Sequence, residues 1–160
     1  MSTVTAKLST ADIEIATRAA GHFIRIYYSA YDADTRLSDL PHYYRPSSSI
    51  TWNGKPFQGI DGLAQLVEKM PPTKHEVQSF DCHPIPGTHP PSLLLTVSGN
   101  VTHGRGPAGN PPNTHSKALD GHPRVFSQAF LLTPDPATPV TKPGEVAKYY
   151  ISADTLRFVG

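Results

Sequence analysis

Between residues 11 and 31 the apolar side chains return every three or four positions. Ile13, Ala16, Ala20, Phe23, Ile24, Tyr27 and Tyr31 share one face, while Arg18, Arg25 and Ser29 fall away from it. That period predicts an amphipathic helix over 11–31. Ser9 and Asp12 stand just before it with the spacing of a capping box, Asp being the weaker closing partner. Leu37, Leu40 and Tyr44 predict a short second helix, with Pro41 awkward inside it and Pro46 ending it.

The period then shortens. Ile50 and Trp52 alternate with Ser49 and Thr51, and Asn53-Gly54 follows, the favoured pair for a two-residue turn whose two positions both need positive φ. Residues 48–57 are therefore a predicted β-hairpin. Helical spacing resumes with Ile60, Leu63, Leu66, Val67 and Met70, predicting a third helix over 60–70 that Pro71-Pro72 stops. Gly62 weakens it by about 1 kcal/mol relative to alanine. Beyond it come four runs rich in Val, Leu, Phe, Thr and Tyr, predicted as strands over 76–85, 92–102, 125–133 and 146–158.

Helices first and strands afterwards imply an α+β domain. Four successive strands suggest an antiparallel meander. One sheet face packs on the helices; the other must meet water or a partner, and a binding function would sit there.

Composition narrows this further. A chain of 160 residues fits one domain over 1–160. Most of its 17 prolines gather between strand-like runs, so the Pro-rich stretches near 84–91, 103–124 and 134–144 read as loop insertions rather than boundaries. The formal net charge of +1 gives no global attraction to nucleic acid or acidic membranes. The single cysteine, Cys82, permits no intrachain disulfide, which suits a reducing compartment. Residues 1–10 do not carry the pattern of a secretory leader. No apolar run approaches the roughly 18 residues of a membrane span.

Two chemical motifs fail on context. Gly104-Arg105-Gly106-Pro107-Ala108-Gly109 matches a dinucleotide fingerprint, but Asn110-Pro111-Pro112 prevents the helix start that would hold a pyrophosphate. The eight histidines include none in the tight helical pair of a zinc protease. No cofactor and no metal is expected.

The order of long helix, short helix, hairpin, third helix and curved antiparallel sheet resembles the cone of the nuclear transport factor 2-like superfamily. Within it, several stretches look like the small subunit of the messenger-RNA export receptor: Thr51-Trp52-Asn53-Gly54, Gly59, Leu63, Met70-Pro71 and Asp81-Cys82-His83-Pro84. Ala19-Ala20 through Phe23 to Tyr27-Tyr28, Phe126-Ser127-Gln128-Ala129-Phe130 and the closing Ser152-Ala153-Asp154-Thr155-Leu156-Arg157-Phe158 also fit that pattern. The resemblance implies a non-catalytic protein that pairs, sheet against sheet, with the matching domain of a larger TAP-type export receptor. Nucleoporins would be met mainly through the complex, and the protein would shuttle between nucleus, nuclear pore and cytoplasm. It also implies that Arg157 forms an ion pair with an acidic residue of the large subunit.

The residue pattern agrees on Arg157, since Leu156 and Phe158 share one face of the last strand and Arg157 takes the other. A guanidinium is a planar fork suited to carboxylate. Phe158, Phe126, Gln128, Phe130, Tyr149 and Ile151 complete the candidate interface, aromatics and Arg being enriched at such surfaces. Gln128 between Phe126 and Phe130 marks that face as not uniformly dry. Arg105, Lys117 and Arg124 make the 103–124 loop mildly basic, a candidate RNA contact.

Two other readings stay open on the same fold. One is a homodimeric carrier binding nucleoporin repeats or a small GTPase, for which no acidic cluster stands out. The other is a small isomerase or dehydratase drawing on Tyr27, Tyr31, Asp81, His83 and Asp154.

Overall fold

The computed structural model describes residues 7–104, 121–142 and 144–159. Helix α1, Thr10–Asp32, starts with the expected reciprocal cap: the Asp12 amide donates to Ser9 Oγ at 3.0 Å and the Ser9 amide to Asp12 Oδ2 at 2.9 Å. Its buried face runs Ala16, Ala20, Phe23, Ile24, Tyr27 and Tyr31, with Ala19 and Tyr28 widening the stripe.

The second helical stretch is shorter than its pattern suggests. Helix α2, Arg36–Asp39, is a single turn, followed by a 3-10 turn over Leu40–Tyr43. Pro41 stands at the start of that turn, where its missing N–H breaks no ladder. Tyr44 already belongs to strand β1, Tyr44–Trp52. Pro46 therefore does not end a helix, as its position suggested. It falls where the β1 register slips between Tyr44 and Ser49, a place that tolerates proline.

The hairpin of β1 with β2, Lys55–Gln58, turns through Asn53 (φ 48°) and Gly54 (φ 88°) as expected. Helix α3, Gly59–Glu68, buries Leu63 and Val67. The Arg36 guanidinium donates to the Val67 carbonyl in the last turn of α3 and to the Met70 and Pro71 carbonyls just beyond it. Such a cation at a helix C-terminus suits both the free carbonyls and the dipole. Among the described residues no helix is long and apolar enough to cross a membrane.

Strands β3, Thr73–Ile85; β4, Ser92–His103; β5, Pro123–Pro134; and β6, Tyr149–Phe158, form the expected antiparallel meander. The six-stranded order is β2-β1-β6-β5-β4-β3, and β1 lies parallel to β6, the one pair outside the antiparallel expectation. The sheet bends across β3 and β4. A bulge between Val77 and Ser79 brings the Glu76 carbonyl over Gly99, where an added Cβ would collide with it. Only glycine leaves room for that crossing.

Helix α1 covers one sheet face. The Phe130 ring meets Phe23 edge-on at 5.3 Å and Tyr27 at 5.0 Å, with Leu95, Val97, Leu132 and Ile151 buried around them. The opposite face carries no element of the chain among the described residues.

Candidate functional site

Strand alternation and the observed pairing determine which side chains reach the uncovered face. Ser49, Ala153, Leu131, Leu94 and His83 line up across five strands. The next row is Thr51, Thr155, Ala129, Thr96 and Asp81, and the next is Arg157, Ser127, Ser98 and Ser79. Small side chains dominate, so the surface is flat enough for a second sheet to approach to about 10 Å. Leu94 is 41% exposed and Val125 47%, supplying apolar area near the middle and end of the face. Glu76 and Asp81 are the acids on the β3 edge.

Arg157 stands out of this surface. It is exposed, lies opposite Ser127 on β5, and has no ion pair with a described residue.

The other expected interface residues turn the opposite way, which corrects their assignment. Phe126, Phe130 and Ile151 are wholly buried and Gln128 is 2% exposed, all on the helix-covered side. Phe158 also belongs to that side, edge-on to Trp52 at 5.5 Å and beneath the Arg124 guanidinium at 3.9 Å. Tyr149 lines a cleft on the helix side, and its hydroxyl donates to the Pro91 carbonyl at 2.8 Å. Large side chains fill the space under α1, and small ones are left on the free face. The signal was legible in part: Ser127 and Ala129 alternate with Phe126, Gln128 and Phe130 and share the parity that pairs with Arg157.

Gln128 is polar because of a buried network. Tyr28 Oη donates to Gln128 Oε1 at 2.7 Å, and Gln128 Nε2 donates to Asp154 Oδ1 at 2.7 Å. Tyr44 Oη donates to Asp154 Oδ2 at 2.6 Å, and the Tyr27 hydroxyl lies 2.7 Å from that of Tyr44. Burial pushes the Asp154 carboxyl up to about 6, against the pull of its hydrogen bonds from Gln128, Tyr44 and Tyr27. Burial, aided by the Asp154 charge, likewise raises Tyr27, Tyr28 and Tyr44 well above the usual phenol range.

Of the five residues an isomerase or dehydratase would draw on, this brings together Tyr27 and Asp154 alone. The Tyr31 hydroxyl goes to Met70 Sδ at 3.3 Å, while Asp81 and His83 are exposed on β3. Both carboxylate oxygens of Asp154 are occupied by donors from the chain itself, and it does not line the helix-side cleft. The arrangement braces β1, β5, β6 and α1 against one another.

A second polar tie closes the far end of α1. Asp32 accepts from the His75 amide at 2.8 Å and from Thr73 Oγ1 at 2.8 Å, and lies 2.6 Å from His75 Nδ1. Burial pushes Asp32 up, but the hydrogen bonds and charge of His75, with Thr73, outweigh it and hold the carboxyl below its usual value. Of the residues weighed for RNA, Arg105 and Lys117 lie outside the described residues. Arg124 is half-buried against Phe158.

Residues 19–110 match the Nuclear transport factor 2 (NTF2) domain. The chain is 28% identical over 142 residues to the NTF2-related export protein of Caenorhabditis elegans, covering 86% of this chain and 83% of that one. It is 29% identical over 121 residues to NTF2-related export protein 1 of Bos taurus, covering 74% of each. Its fold resembles a chain in the complex of the Chaetomium thermophilum Mex67 NTF2-like domain with Mtr2. There the TM-score is 0.63 and the identity 18%, over 91% of this chain and 99% of that one.

Proposed function

The chain belongs to the nuclear transport factor 2 domain family, and from that premise we propose that it is the small, non-catalytic subunit of a nuclear export receptor for messenger RNA. It docks its uncovered sheet face on the transport-factor-like domain of a larger, TAP-type partner, stabilises that partner and completes its cargo surface. The whole chain, 1–160, acts as one such domain. Contact with nucleoporins comes mainly through the complex, and the protein shuttles with it between nucleus, nuclear pore and cytoplasm.

One observation carries this reading: Arg157 is an exposed guanidinium without an ion pair among the described residues, set in a flat field of small side chains. A flat field lets a second sheet come close. The guanidinium then demands a carboxylate from it, because burying an unpaired charge is costly. The naming of relatives as export proteins supports the same assignment.

The test is co-expression with the transport-factor-like domain of a TAP-type receptor, followed by size-exclusion chromatography with light scattering. A 1:1 complex is expected for the native chain. Arg157→Glu should weaken it by about 2–5 kcal/mol, because it sets like charges face to face. A stable homodimer that ignores the large subunit would refute the assignment.

RNA contact belongs to the same proposal as a finer point. Neutralising Arg105, Lys117 and Arg124 in the assembled heterodimer should weaken RNA binding and flatten its salt dependence. An unchanged salt slope would remove RNA from the role of that loop.

A further inference from the structure

The three rows of side chains on the uncovered face carry two formal charges, Arg157 on β6 and Asp81 on β3, with His83 the other titratable group. Asp81 is exposed, lies opposite Thr96 on β4, and has no ion pair among the described residues. The other charges on β3 are already engaged, since Lys74 and Glu76 meet at 3.9 Å. Arg157 and Asp81 are too far apart to pair. Strands β5 and β4 stand between theirs, so about 14 Å separates them across the sheet at the usual strand spacing. That exceeds the roughly 8 Å over which exposed charges are felt at physiological salt.

The backbone holds Asp81 in this position. Its neighbours Phe80 and Cys82 pair with the buried Val97 and Leu95 and so turn toward α1. There the Cys82 thiol donates to the Ala16 carbonyl at 3.8 Å, and the Phe80 ring meets Gly21. Alternation then leaves Asp81 outward. Stacked sheets align their strands to within about 30°, and a partner sheet turned end for end meets that condition equally well. Side chains as small as Ala129, Thr96 and Ser127 give little steric key between the two orientations. Two opposite charges do, because reversing the partner sets like charge against like.

We propose that Asp81 is a second anchor of the docking face, pairing with a lysine or arginine of the large subunit's sheet, and that with Arg157 it fixes which way round the two sheets meet. This role rests on the docking proposed above. The partner's face must then carry a carboxylate for Arg157 and a cation for Asp81, about 14 Å apart. Asp81 belongs to the edge strand, at the rim of the contact, where a charge acts chiefly on the association rate and its salt dependence.

The test is association with the transport-factor-like domain of a TAP-type large subunit, held on a sensor surface and followed at low and high salt. Asp81→Asn should slow association about threefold or more and Asp81→Lys about tenfold or more, with dissociation changed less. Asp81→Asn should also show a shallower salt dependence. Glu14→Lys makes the same change in net charge as Asp81→Lys, but on α1, behind the sheet. It should associate within about twofold of the native rate. Circular dichroism should show the native fold in all three, since the substituted side chains are exposed. Reversing the lysines and arginines of the partner's sheet face to glutamate, one at a time, should yield one variant that restores Asp81→Lys binding and weakens native binding. If the native chain binds, native-rate association of Asp81→Lys or the lack of a restoring variant would overturn the role of Asp81 and leave the docking in place. Failure of the native chain to bind would remove the docking itself, and this role with it.

Discussion

The Tyr44 hydroxyl donates to the Asp154 carboxylate at 2.6 Å, joining residues 110 positions apart across the parallel β1–β6 pair. With Gln128 and Tyr27 it encloses one ionisable group in the core. Burial raises the Asp154 carboxyl from an ordinary 3.8 to about 6, against the pull of these three donors.

The sign of the resulting pH dependence follows. Between pH 3.8 and about 6 the folded chain holds a proton at Asp154 that the unfolded chain has released, so this group's contribution falls as pH rises through that window. Asp154→Asn cannot ionise. Urea denaturation of both proteins across pH 4 to 7 should show native stability falling relative to the variant by on the order of 3 kcal/mol, then levelling. A pH-independent difference would mean the carboxyl titrates normally.

Asp32 carries the opposite sign. Held below its usual 3.8 by His75 and Thr73, it contributes stability above that value and loses it as the folded carboxyl is protonated. Asp32→Asn should cost about 2 kcal/mol at neutral pH, in the range of charge-assisted hydrogen bonds. The difference from the native chain should shrink on acidification below pH 3.8 in the same urea series.

Adjacent positions on β5 should separate folding from assembly. Phe126→Ala empties a wholly buried site and should cost about 3–5 kcal/mol in the isolated chain. Ser127→Arg, exposed one residue on, should change stability by less than about 0.5 kcal/mol. It should nonetheless abolish co-elution with the large subunit, since it sets a second guanidinium opposite Arg157. Retained co-elution would place the interface elsewhere.

Gly99→Ala tests the bend of the sheet. An added Cβ collides with the Glu76 carbonyl, so β3 must shift at its bulge. A loss of about 1–3 kcal/mol is expected in thermal or urea unfolding. A neutral effect would show that the bulge moves freely.

Without its partner, the chain should self-associate through Leu94, Val125 and their neighbours, because the apolar area they leave open on the flat face favours contact. Light scattering at rising concentration measures this. A monodisperse monomer throughout would contradict it.

Much of the local structure was legible in the residues. The Ser9–Asp12 cap, the α1 stripe from Ala16 onward and the Asn53-Gly54 turn depend on neighbours within a few positions and formed where expected, while Ile13, expected on the stripe, is exposed. Pro46 does not stop a helix as its position predicts, because its effect depends on the backbone it enters. Past Tyr44 the chain was already extended, and a slip in register absorbed the proline.

The sequence by itself determined the elements, their order and the presence of a two-faced sheet, because helical and strand periods are local properties of the chain. The family resemblance pointed to Arg157, and its neighbours Leu156 and Phe158 assign it to the other face. Only the tertiary structure decided which parity of β5 faces outward, that β1 runs parallel to β6, and that Gln128 serves Asp154 instead of a partner. The physical reason is that an isolated strand presents two equivalent faces. Nothing distinguishes them until a helix packs on one, and a shift of a single residue exchanges them entirely.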